Sequence, residues 1–412
     1  MKRIVWAAAA VVVIVVVAAL GWYFRPWSDY APAKIARLNA PENYPQTFRA
    51  MDEIFPHREI AANTDAAPLP RNEQTLDLTY DWQGEEKSLD QFLEEARTLG
   101  LIVLKDGAVV HEEYRMEAGP DDRFTSWSVG KSFVATLVAM AMRDGLIDSL
   151  DDPAEKYAAQ FEGSDYGETS LRHLLMMSAG MDFNEDYGAP DSDIDPFFFD
   201  AFIMGKNVDE MAAAIERDRP AGDDLHYVSP NTHVLSAVVR AVYDKPLAAI
   251  MEEQIWKPLD MSGDAYWSQN VQGGDGIAIG YCCLNAKLED YARFGQFYLQ
   301  DGVWDGQRLL PEGWVTMATT PQAPFQEPGA TYDIVGYGLH FWVPRDADGE
   351  FQMAGVFGQY IWVDQKRGVV IARNSADPEF GSRLGEAITV MRAISAAVSP
   401  EPETESAEAE AP

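Results

Sequence analysis

Two sets of strand-like segments lie towards opposite ends of this chain with a mainly helical stretch between them, and that separation restricts the fold more than any other feature. Residues 101–104 and 108–114 flank Asp106-Gly107, a dipeptide suited to the positive backbone angles of a tight hairpin. After about Tyr332 the strand pattern returns at 337–343, 352–356, 360–363 and 369–374, the last pair joined through Asp364 to Gly368. Between the sets, 132–142 is an uninterrupted run of good helix formers closed by Asp144-Gly145, and 171–177 is a second, shorter apolar helix. The expected class is α+β in α/β/α layers: an antiparallel sheet built from both ends of the chain, flanked by helices, with a helical subdomain inserted over roughly 145–275. A helix over 88–99, stopped by Gly100, precedes the first strands, and a terminal helix over 391–398 closes the body.

The flanks differ from the body. Residues 4–24 are uncharged and almost wholly apolar, with Lys2 and Arg3 before and Arg25 after, which is long enough for a helix to cross a bilayer. Residues 1–25 therefore form a membrane anchor or a signal segment. The length of the run and its aromatic end (Trp22, Tyr23, Phe24) favour an uncleaved anchor, with the body in the periplasm or outside the cell. Seven prolines between Arg25 and Arg71 make 26–75 a spacer or wrapping arm. The catalytic body is expected over 76–398. Residues 399–412, with five Glu, three Pro and no large apolar residue, form an acidic tail without a core and are expected to be disordered.

Composition narrows the function. A chain of 412 residues that is 47% hydrophobic can bury a large core. With 32 Lys and Arg against 66 Asp and Glu, a net charge of -34, it repels polyphosphate, so no nucleic-acid partner is expected. Cys282 and Cys283 cannot build a disulfide framework, since adjacent residues pair only with strain, and they are expected as buried, inert thiols. No Gly-x-Ser-x-Gly elbow is present. Gly130-Lys131-Ser132 lacks the earlier glycine of a phosphate loop, because Thr125 stands there. The six histidines show no ligand spacing, so neither a metal nor a cofactor is expected.

The chemistry concentrates at Ser128-Val129-Gly130-Lys131, where a loop enters the long helix. A Lys three residues after a Ser shares its helix face. Burial at a helix start lowers an amine's pKa, so the neutral form can take the serine proton, and the first N–H groups of the helix offer donors to an oxyanion.

The segments SWSVGKSFVATLVAMAMRDGLIDSLDDPAEKY, SLRHLLMMSAGMDFNEDYGAPDSD and HYVSPNTHVLSAVV, in that order, resemble the serine β-lactamase and penicillin-binding-protein superfamily. Within it the chain looks most like the 6-aminohexanoate-dimer hydrolase and family VIII esterase branch, over about 89–398. The resemblance implies a β-lactamase/transpeptidase-like fold with Ser128 as acylated nucleophile, Lys131 as base and Tyr227 as proton relay. Asn231 lies four residues beyond Tyr227 rather than two; Ser229 occupies the place of the asparagine in the β-lactamase Tyr-x-Asn motif. In the third motif, Gly355-Val356-Phe357-Gly358-Gln359, relatives carry His-Gly-Gln or Lys-Thr-Gly, and Phe357 replaces the polar residue. The backbone N–H groups of Ser128 and Val356 are then the oxyanion donors, and Tyr187, Phe357 and Gln359 the substrate-binding residues. Asp290 and Arg293 match a helix of the branch and are expected as a structural ion pair or cap.

The expected activity is hydrolysis of a small amide or ester. Cell-wall peptides or penicillins as substrates, or a non-catalytic receptor for muropeptides or β-lactams, are the alternatives. The natural substrate and the oligomeric state are left open.

Overall fold

The computed structural model describes residues 2–25, 31–38 and 40–400; most of the acidic 399–412 segment lies outside them. Lys2–Phe24 is a 23-residue helix, α1, and among the described residues it alone is long and apolar enough to cross a membrane. Pro32–Leu38 forms α2 and His57–Ile60 the strand β1. The described part of the proline-rich stretch is no free spacer: Ile35, Phe48, Met51, Ile54 and Ile60 are buried in the main core. Its prolines start helical turns, with Pro41 and Pro45 each in a first turn, where a missing N–H leaves no bond unmade. The arm can therefore wrap the body.

Leu89–Glu95, α3, opens on a capping box between Ser88 and Gln91. It ends before Leu99: Arg97 turns left-handed at φ 45°, and Thr98–Lys105 is already the strand β2. Gly100 is not a helix stop but lies within β2, where a Cβ would stand 2.8 Å from Leu288 Cδ2. Ala108–Tyr114, β3, pairs with β2 through Asp106 and Gly107, both at positive φ, as a two-residue hairpin requires. Phe124–Thr125 (β4), the helix Val129–Arg143 (α4), the helix Ser229–Tyr243 (α5), Ala265–Ser268 (β5), Leu284–Ala286 (β6) and the helix Leu288–Leu299 (α6) follow. The stretch expected as mainly helical, roughly 145–275, thus also holds the strand β5.

The chain then returns to strands at Val335–Tyr337 (β7), Trp342–Pro344 (β8), Glu350–Gly355 (β9), Gln359–Asp364 (β10) and Val369–Ser375 (β11), and closes with Leu384–Val398 (α7). The single strand expected over 337–343 is a hairpin instead. Gly338 N donates to Phe341 O, and His340 between them sits at φ 67°. His340 is buried, with its ring nitrogens against Leu175 O and Thr232 Oγ1.

The large sheet runs β7-β8-β9-β10-β11-β2-β3, antiparallel throughout. Its two faces follow from the period of two along each strand. Leu101 and Val103 join Trp362 and Ile371 under Phe92, Ile388, Met391 and Ile394 of α3 and α7. Ile102 and Leu104 face the other way, into the core of Phe133, Leu137 and Phe294 from α4 and α6. The fold is thus α+β, helices covering both faces of an antiparallel sheet. A smaller sheet, β1-β5-β6-β4, joins the arm and the inserted region to the segment that precedes α4.

Asp290 and Arg293 do not pair with each other as expected. Arg293 is bound to Glu289 and to Ala67 O, while buried Asp290 accepts from Ser262 N. Residues three apart on a helix can serve different neighbours when the elements packed against it differ.

Candidate active site

The start of α4 is fixed by the small sheet. Ser126 N donates to Leu284 O at 2.7 Å and Leu284 N to Ser126 Oγ at 3.1 Å. Trp127 then turns left-handed at φ 42°, and Ser128 enters the helix. The N–H groups of Val129, Gly130 and Lys131 donate to the carbonyls of Ser126, Trp127 and Ser128 at 3.0–3.1 Å. These helix-start donors, expected to be open to an oxyanion, are therefore occupied. Nor does the Ser128 side chain cap the helix, so its hydroxyl is available for other work.

Lys131 Nζ donates to Ser128 Oγ at 2.8 Å and to Tyr281 O at 2.9 Å. It is 2% exposed, and burial lowers its pKa to about 8, against the opposing field of the Glu185 carboxylate. An amine so placed is partly neutral near physiological pH and can take a proton from the hydroxyl it touches.

Tyr227 also lies beside Ser128, whose hydroxyl acts on the phenol and pulls its pKa down. Its ring stacks on Trp342 at 5.6 Å, and Lys131 Nζ lies 5.1 Å from the ring centre. An ammonium nearby would by itself lower the pKa of a phenol. Burial, and then the charge of Glu185, instead raise it well above the ordinary value. Tyr227 is thus held as a neutral phenol, suited to donate a proton. Ser229 does not turn to Ser128: its N–H and hydroxyl both donate to Glu185. Asn231 lies in the core, accepting from Tyr166 at 2.8 Å.

Glu185 is the residue that the sequence reading passed over. It stands in the same Asn184-Glu185-Asp186-Tyr187 segment that drew attention to Tyr187, and it accepts from Tyr187 OH at 2.9 Å as well as from Ser229. Burial raises its pKa, while Lys131 and the bonds from Ser229 pull it back. The only signal was a carboxylate two residues before a tyrosine already singled out.

On the strand side, β9 ends at Gly355, whose bare Cα lets the chain pass against Ser126 O and Ser128 N. Phe357 follows at φ 62°, its ring 4.9 Å from Tyr44, 5.1 Å from Phe48 and 5.5 Å from Trp127. Val356, Phe357, Trp127 and Tyr187 together line a cavity of about 650 Å³. Gln359 does not line it. It is buried, its Oε1 accepting from Asn374 and Ser375 N and its Nε2 donating to Ser375 O, so it braces the turn rather than facing a ligand. Cys282 and Cys283, expected as separate thiols, are bonded to each other, with Cys283 at φ 75°. Both are buried behind α4, where the backbone of Cys282 packs against Gly130, and the left-handed turn at Cys283 brings the neighbouring side chains together.

The pattern described as Beta-lactamase matches residues 86–394 of this chain, most of its length. The chain belongs to the Beta-lactamase family. It is 30% identical over 375 residues to the 6-aminohexanoate-dimer hydrolase of Paenarthrobacter ureafaciens, a match covering 87% of this chain and 93% of the relative. In three dimensions it resembles a Bacillus anthracis protein assigned as a 6-aminohexanoate-dimer hydrolase, with a TM-score of 0.78 at 23% identity over 88% of this chain and 96% of the other. It also resembles EstCE1, a hydrolase with promiscuous acyltransferase activity, with a TM-score of 0.60 at 14% identity over 74% and 96% of the two chains. At these identities the structural matches speak for the fold alone. Family and relative together make this Beta-lactamase family member a serine hydrolase related to the 6-aminohexanoate-dimer hydrolase.

Proposed function

We propose that the protein cleaves a small amide or ester through an acyl-enzyme on Ser128, in a body held outside the cytoplasm by α1. The observation that carries this reading is the 2.8 Å contact from the buried, easily deprotonated Lys131 Nζ to Ser128 Oγ. Neutral Lys131 takes the serine proton as Oγ attacks the carbonyl carbon. The N–H groups of Ser128 and Val356 hold the oxyanion, a role supported by the passage of β9 against Ser128 N. Tyr227, a phenol, protonates the leaving group, and Lys131 replenishes it. Water then attacks the acyl carbon, its proton leaving by the same relay, and Ser128 is restored. Lys2 and Arg3 ahead of an apolar helix support an orientation with the body on the far side of the membrane.

Peptide mapping by mass spectrometry after a fluorophosphonate probe tests the site. The adduct is expected on Ser128 and absent from Ser128→Ala; labelling that survives the substitution sinks the assignment. Protease added to spheroplasts tests the topology: digestion of the body with α1 left in the membrane supports it, and protection of the whole chain inverts it.

A further inference from the structure

The cavity beside Ser128 falls within the range of about 300–1,000 Å³ typical of sites that enclose a small organic ligand, and it is apolar. Among the residues lining it, Asp195 alone carries a charge. One wall is the nucleophile's own surroundings, Trp127 and Val356. Others come from the wrapping arm, through Ile35 and Tyr44, and from the segment that carries Phe198 and Phe202. Tyr23, next to the last residue of α1, also lines it, so the space runs from Trp127, the neighbour of Ser128, and Val356 to the end of the membrane-length helix. Beside it, Phe199 and Met204 are 49% and 50% exposed. Away from α1, large apolar side chains this open to solvent are few among the described residues, and Phe199 shares the cavity lining with Tyr23 of α1.

A polar substrate gains little from such walls, whereas each methylene moved from water into them is favourable. We infer that the cavity takes an aliphatic chain, and that the amide or ester offered to Ser128 belongs to an amphiphile drawn from the membrane that α1 enters. This rests on the acyl-transfer reading of Ser128 and enlarges its substrate from a small molecule to a chain-bearing one. The arm then has a part in recognition, because Ile35 and Tyr44 close a space that the catalytic body alone would leave open.

The test uses the full chain in phosphatidylcholine vesicles with p-nitrophenyl acyl esters of two to twelve carbons, and with butyrate esters of alcohols of the same lengths. In one of the two series kcat/KM is expected to rise about two- to fourfold per methylene until the cavity is filled, then level off. Ile203→Trp, which fills the cavity, should lower the ratio of the ten-carbon to the four-carbon rate by about tenfold or more. A flat profile in both series, with hydrolysis still dependent on Ser128, overturns the chain-binding inference and leaves the serine-hydrolase reading standing. Loss of Ser128-dependent hydrolysis at every length overturns that reading itself. A length preference indifferent to Ile203→Trp removes the chain from this cavity. Long-chain ester supplied in the enzyme's own vesicles should be cleaved faster than ester in separate vesicles, and equal rates overturn the membrane route.

Discussion

A Cβ on Gly355 would stand 3.0 Å from the Ser128 amide nitrogen and 2.8 Å from the Ser126 carbonyl oxygen. The end of β9 is thus held against Ser128 at a spacing that only glycine permits. Gly355→Ala should push the edge away and lower kcat by about two to three orders of magnitude, as loss of an oxyanion donor does. The thermal midpoint should fall by only a few degrees. A kcat within about threefold of wild type, with the fold intact, rejects this edge as an oxyanion donor.

The pH dependence should report Lys131. Only its neutral form accepts a proton, so kcat/KM should climb with pH along a limb whose midpoint lies near 8. Glu185 favours the ammonium, so Glu185→Gln should move that midpoint to lower pH. Lys131→Ala should cost about two orders of magnitude or more in kcat. A limb indifferent to Glu185→Gln would separate the two residues.

Neutral substrates should outrun penicillins. Phe357 lines the cavity where a carboxylate-binding relative has a polar or cationic group, and a phenyl ring cannot compensate a carboxylate for lost water. The charge of -34 acts in the same direction. Comparison of kcat/KM for p-nitrophenyl butyrate against nitrocefin and benzylpenicillin decides it. Faster turnover of nitrocefin would return the β-lactamase reading to first place.

Stability should fall as pH rises from about 4 towards 7 because of Asp290. Its carboxyl is fully buried, and burial raises its pKa from 3.8 to about 7. Between those values the folded chain holds a proton that the unfolded chain releases, so the slope of unfolding free energy against pH is negative in that window. Asp290→Asn should shrink the drop in thermal midpoint between pH 5 and pH 8. An unchanged drop would mean that other groups set it.

The pairing of Ser128 with Lys131 was legible because it is local. Ser128 and Lys131 meet through helix geometry, and spacing alone puts them on one face. The hairpin at Asp106-Gly107 and the inward and outward sides of β2 likewise follow from backbone preference and a period of two. The family motifs carried Tyr227 to Ser128. The errors fell where a neighbour distant in sequence overrode the local pattern. Gly100 looked like a helix stop until Leu288 required its missing side chain. The prolines left spacer and wrapping arm both open, and the burial of Ile35 and Ile54 in the core favours the arm.

What the sequence by itself determined is therefore most of the elements and the meeting of Ser128 with Lys131, since both rest on interactions within a few residues. Only the tertiary structure decided that Glu185 stands over Lys131 and Tyr227, that the donors at the start of α4 are already occupied, and that α1, the arm and the strand edge share one apolar cavity. Burial and charge act through space, and the pKa of Lys131 depends on groups brought beside it by packing rather than by their order in the chain.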